Sequence, residues 1–194
     1  MAKPDPSSAK KERNKTIRWV VTIFLVTIFI SGTISFASDA IMEASSMAVA
    51  FLILLVIVLI GIVFDIIGMA VATADEKPFH SMASRKISGA QESIRLLRNA
   101  ERVSSICNDV VGDICGVVSG SASATIAAQV LRNFEFSWPQ LVGLLLSALV
   151  AGLTVGGKAI GKVIAVRSCT QIVHTVGKLV WLIRHFPEFL KKKK

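Results

Sequence analysis

Three carboxylates stand where carboxylates are costly. Asp65, Asp109 and Asp113 each interrupt an apolar stretch long enough to be a membrane helix, and a charge at mid-helix costs on the order of 3 kcal/mol by insertion scales. Asp109 and Asp113 are four residues apart, so one α-helical face would carry both. Asn108 adds an amide at the edge of the pair. Oxygen donors with no His or Cys pair nearby suit a hard cation such as Mg²⁺ better than Zn²⁺ or copper. On that chemistry Asp65, Asn108, Asp109 and Asp113 are the candidate metal ligands. The alternative is internal neutralisation. Lys158 and Lys162, just past the last apolar stretch, are candidate charge partners, and the carboxylates would then only lock helices together.

The elements that must position these groups are marked by the absence of other charges. Stretches 19–37, 47–74, 104–131 and 140–157 contain only these three Asp residues as charges, in a chain with 22 Lys and Arg and 13 Asp and Glu. Each reaches the ~17 to 25 residues that cross a hydrocarbon core of roughly 30 Å. With 53% apolar residues and a mean hydropathy of +0.63, an ordinary soluble domain is excluded. The expected fold is an all-α integral membrane protein of four transmembrane helices.

Of the 22 Lys and Arg, 21 lie in segments 1–18, 75–103 and 158–194. A basic excess marks cytoplasmic segments, so both termini and segment 75–103 are expected inside a bacterial-type plasma membrane. The net charge of +9 is then topology and attraction to anionic lipid. Aromatic residues between the basic ones are too few for a nucleic-acid surface. The first span has a second reading as a cleaved signal peptide, with a basic start, an apolar run over 19–30 and small residues at Ser35 and Ala37.

Segment 75–103 reads as a cytoplasmic helical hairpin. Pro78 can open a helix over 79–87, and Ser88 with Gln91 reads as a capping box for a second, amphipathic one carrying Ile94 and Leu97. The tail, 167–194, is expected as an amphipathic basic helix on the inner surface. Its apolar face comprises Ile172, Val173, Val176, Leu179, Val180, Ile183 and Phe186, and Lys178, Arg184 and the lysines at 191–194 meet headgroups.

Depth places the carboxylates together. At 1.5 Å per residue, Asp65 is roughly 10 Å from a cytoplasmic boundary near Ala72, and Asp109 and Asp113 are roughly 8 and 14 Å from one near Ser104. Gly112, Gly116 and Gly120 share a side with the two Asp residues, while Gly61 and Gly68 flank Asp65. Glycines at these places let helix backbones approach closely. Cys107, Cys115 and Cys169 have no metal-type spacing and are expected reduced, and His80, His174 and His185 are scattered. No catalytic motif occurs, so no enzyme is expected.

Residues 64–120 resemble the transmembrane domain of the CorB/CorC (cyclin M) magnesium transporters. That family ends a span in Phe-Ser-Gly-x-Glu-Thr-Ala, continues into a cytoplasmic hairpin, and starts the next span with Gly-Asn-Asn-Leu-Val-Asn. Without gaps the motifs fall on residues 64–70 and 107–112. The family's Ser is Asp65 here, its Glu is Gly68, and its three Asn are Asn108, Asp109 and Gly112, with Asp113 added. The resemblance, over 47–166, implies a related Mg²⁺ site of altered selectivity between these helices, and a homodimer. The family's cytoplasmic CBS pair and CorC-type domain have no counterpart in the short tail, and a separate regulatory subunit is the candidate partner in their place. Two functions are expected as alternatives: a divalent-cation transporter or exporter, or a non-transporting scaffold whose Asp residues form structural salt bridges.

Overall fold

Long apolar runs without internal proline wind into helices, and the prolines that do occur at 78 and 139 sit in first turns, where a missing N–H costs nothing. The computed structural model describes residues 6–43, 45–133 and 138–191. Lys3 and the lysines at 192–194 lie outside the described residues, as do the side chains of Phe186 and Lys191. In chain order the elements are α1 (Pro6–Glu43), α2 (Met47–Thr73), α3 (Lys77–Ser84), α4 (Ala90–Arg98), α5 (Ala100–Ser105), a π-helical segment Ile106–Gly112, α6 (Asp113–Asn133), α7 (Pro139–Arg167) and α8 (Cys169–Lys191).

Among the described residues, four continuous helical stretches are long and apolar enough to cross a membrane: Thr16–Met42, Met47–Thr73, Ala100–Asn133 and Gln140–Arg167. They contain the four stretches expected from sequence almost entirely, and run further at several ends. The fourth continues to Arg167, so Lys158 and Lys162 lie on that helix.

The most apolar span, α2, is also the hub. It packs against α6, the π segment and α7, while α1 lies mainly on α6. Glycine sets the closest approaches. A β-carbon at Gly61 would stand 2.9 Å from Cys115 Cβ, one at Gly161 would stand 2.8 Å from Ile66 Cγ1, and one at Gly157 would overlap Ile62 Cδ1. At Gly116 and Gly120 it would meet nothing within 4 Å, so these two make no close approach among the described residues.

Two apolar clusters divide the interior. One joins Met42, Ala50, Leu54, Val58, Ala122 and Ile126. The other joins Ala70, Val71, Phe79, Ile94, Leu97, Ala165 and Val173, tying the ends of α2 and α7 to α3, α4 and α8. Phe79, 0% exposed, alone contributes about 1.5–3 kcal/mol by burial. Along α2 the buried residues between the clusters are Gly61, Asp65 and Gly68, so a polar layer is enclosed by apolar packing on both sides.

The segment between spans two and three forms α3 and α4, but not through a Ser88–Gln91 capping box. Helix α4 begins after Gly89, whose φ of 86° is left-handed, and no side-chain cap bond forms there. A β-carbon on Gly89 would also meet the Lys178 backbone at 2.6 Å, which only glycine avoids. Ser93 does the joining instead: its buried hydroxyl lies 3.0 Å from the Gly89 carbonyl and 3.1 Å from that of Val173 on α8. Glu92 pairs with Arg95 at 3.0 Å and with Arg184 at 3.3 Å, adding a charged clamp between α4 and α8. The apolar face expected on α8 is divided, with Val173 buried in this contact and Leu179 and Ile183 exposed.

Candidate functional site

Asp65 projects from the middle of the polar layer. Its side chain is 6% exposed, and Lys158 Nζ on α7 stands 3.3 Å from Oδ2. The same ammonium donates to the Gly112 carbonyl at 3.2 Å. Gly112 makes the arrangement sterically open, because a β-carbon there would overlap Asp65 Oδ1. One carboxylate, one ammonium and one backbone carbonyl therefore link α2, α7 and the third span at a single point.

That carbonyl belongs to an irregular stretch. Residues Ile106–Gly112 form a π-helix, in which hydrogen bonds run to the fifth residue and one residue is in effect inserted. An inserted residue turns the downstream part of the span by about 100° relative to a continuous α-helix. Asp109 and Asp113 are both exposed while Asp65 is buried, so the three carboxylates do not converge on one point among the described residues. Asp109 is exposed and its Oδ2 accepts a 2.8 Å hydrogen bond from Ser105. Asp113 is exposed on α6, and neither it nor Lys162 has an ion pair among the described residues.

Asn108 is placed differently from both. Its Nδ2 donates to Ser104 Oγ at 3.2 Å, while its Oδ1 is buried without a hydrogen-bond partner among the described residues. The amide lies on Gly68, where a β-carbon would overlap Oδ1. Asp109, one residue on, faces a cavity of about 960 Å³ lined also by Thr16, Trp19, Ala72, Glu101, Arg102 and Ser105. Among the described residues no three His, Cys, Asp or Glu side chains converge closely enough to hold a metal ion.

Comparison with protein-family models, curated proteins and solved structures found no match. The chemistry of the layer rests on its own geometry.

Two arrangements escaped sequence reasoning. Asp39, just beyond the apolar stretch 19–37, sits on α1 and accepts from Ser121 Oγ at 2.9 Å and Thr125 Oγ1 at 3.3 Å on α6. Gln129 Nε2 donates to the Met42 carbonyl at 2.7 Å one turn further along. The available signal was the run of hydroxyl and amide residues at Ser121, Thr125 and Gln129, spaced by four on one helix face. The other arrangement is the lining of the cavity, where Glu101, Arg102 and Ser105 join Asp109. Of the cysteines, Cys107 is buried and Cys115 half-buried at the Gly61 contact, so both pack as small apolar groups.

Proposed function

We propose that this chain is a multi-pass protein of the cytoplasmic membrane that carries a hard divalent cation, Mg²⁺ being the best fit, across the bilayer. Both termini, the α3–α4 hairpin and α8 lie on the inner side, in keeping with the segregation of Lys and Arg. The observation that carries the proposal is the buried, unpaired Oδ1 of Asn108, held on a π turn beside Asp109. Leaving such an oxygen unsatisfied costs about 1–3 kcal/mol, and π turns occur preferentially at functional sites. A cation passing the layer supplies the missing partner.

Lack of a three-carboxylate cluster is compatible with this cargo. Mg²⁺ keeps several waters and needs only one or two carboxylates from protein, whereas Zn²⁺ takes three or four protein side chains, mostly His and Cys. In the proposed path the ion enters the cavity between α1 and α5, exchanges some water for oxygens of Glu101, Ser105 and Asp109, and then meets Asn108 and Asp65. The family resemblance at residues 64–70 and 107–112 points the same way, and with it come a homodimer and a separate regulatory subunit as proposed partners.

A second reading rests on the Asp65–Lys158 pair: a non-transporting scaffold in which the carboxylate is neutralised once and for all. Thermal unfolding of the purified chain in detergent separates the two. The transport reading expects MgCl₂ to raise the unfolding temperature beyond the effect of choline chloride at equal ionic strength, and Asn108→Leu with Asp109→Asn to remove the difference. Equal curves in both salts would favour the scaffold.

A further inference from the structure

We infer that Lys158 is a tethered cation that occupies the Asp65 oxygen site at rest and has to be displaced by the ion being carried. This deepens the transport reading and rests on it. The Lys158 ammonium sits on two hard oxygens, Asp65 Oδ2 at 3.3 Å and Gly112 O at 3.2 Å. A carboxylate and a backbone carbonyl are also the donors that Mg²⁺ would take from protein. The lysine thus holds the place of a cation.

Three features make the occupant removable. Both distances exceed the ~2.7–2.9 Å of a tight charge-assisted bond, so the contact is loose. Lys158 keeps 22% of its side chain exposed against 6% for Asp65, so the arm has somewhere to go while the carboxylate is fixed. Gly112 leaves no β-carbon to hold the ammonium in place, and Asp65 Oδ1 fills that gap instead. Two cations on the same oxygens would repel strongly at the low dielectric of this layer, so arrival of one requires departure of the other. The exchange is balanced: a neutral Asp–Lys pair opens, the carboxylate passes to the ion, and the ammonium moves into the exposed space beside α7. No covalent bond changes.

The test uses the full chain in detergent and in proteoliposomes, with MgCl₂ as the probe and choline chloride for ionic strength. Reductive methylation read by mass spectrometry should show Lys158 labelling rising with MgCl₂, while exposed Lys86 stays constant. Lys158→Met should bind Mg²⁺ about tenfold or more tightly than the unmodified chain in titration calorimetry, and adding Asp65→Asn should abolish the gain. The labelling arm needs no variant, so a poorly folded Lys158→Met does not remove the test. Constant Lys158 labelling in a protein that carries Mg²⁺ into liposomes overturns the tethered-cation role and leaves transport standing. No Mg²⁺ binding and no flux overturns both.

Discussion

Asp65 on α2 and Lys158 on α7 hold opposite charges 3.3 Å apart, with side chains 6% and 22% exposed, between two apolar clusters. Partnering a buried carboxylate in this way lowers its cost, and removing either partner strands the other. Asp65→Asn and Lys158→Met are each expected to destabilise the chain by about 3–5 kcal/mol. The double variant should lose clearly less than the sum of the two. Thermal unfolding in detergent without divalent cations measures all three, and simple additivity would mean that the pair is not an energetic unit.

Gly68 and Gly112 face side-chain oxygens of the layer, while Gly116 and Gly120 face open space. Gly68→Ala and Gly112→Ala should each cost about 1–3 kcal/mol through overpacking. Gly116→Ala and Gly120→Ala should stay within about 0.5 kcal/mol, as for positions without contacts. A reversal of that order in unfolding measurements would mean that the close approaches lie elsewhere.

The four long apolar helices were legible because length and charge depletion are properties of whole segments, and Lys158 was legible as a partner because few other cations lie so close to the apolar stretches. The π segment was not. In a helix that is apolar nearly all round, one inserted residue leaves no break in hydrophobic periodicity, so nothing in the sequence marks it. Nor was the Ser88 cap correct, since α4 begins after the left-handed Gly89, which packs against the Lys178 backbone far away in sequence. Long-range polar pairs such as Asp39–Ser121 and Glu92–Arg184 depend on which helices neighbour each other, which composition does not encode.

Helix α1 is fastened to α6 by the Asp39 carboxylate, which takes hydroxyls from Ser121 and Thr125. Ser121→Ala combined with Thr125→Val is expected to destabilise the chain by about 1–3 kcal/mol, because a half-buried carboxylate is left without donors. Thr154→Val serves as the control. Among the described residues its hydroxyl bonds only the Val150 carbonyl of its own helix, so its effect should remain within about 0.5 kcal/mol. If Thr154→Val costs as much as the pair, the Asp39 contact carries no special weight.

Helix α8 is held to α4 by Ser93 and Glu92. Losing the Ser93 hydroxyl in Ser93→Ala should cost about 0.5–1.5 kcal/mol. Combined with Glu92→Gln it should speed amide exchange along α8 relative to α2, as read by mass spectrometry. Unchanged exchange in α8 would place its anchor in the Val173 apolar contact alone.

Cation passage is tested most directly by Mg²⁺ flux into proteoliposomes carrying a Mg²⁺-sensitive dye. Flux should be driven by a Mg²⁺ gradient in the unmodified chain and should fall by at least about tenfold, the loss of 1.4 kcal/mol of barrier lowering, in Asp109→Asn and in Asn108→Leu. Liposomes with correctly folded protein that take up Mg²⁺ no faster than empty ones would contradict the account.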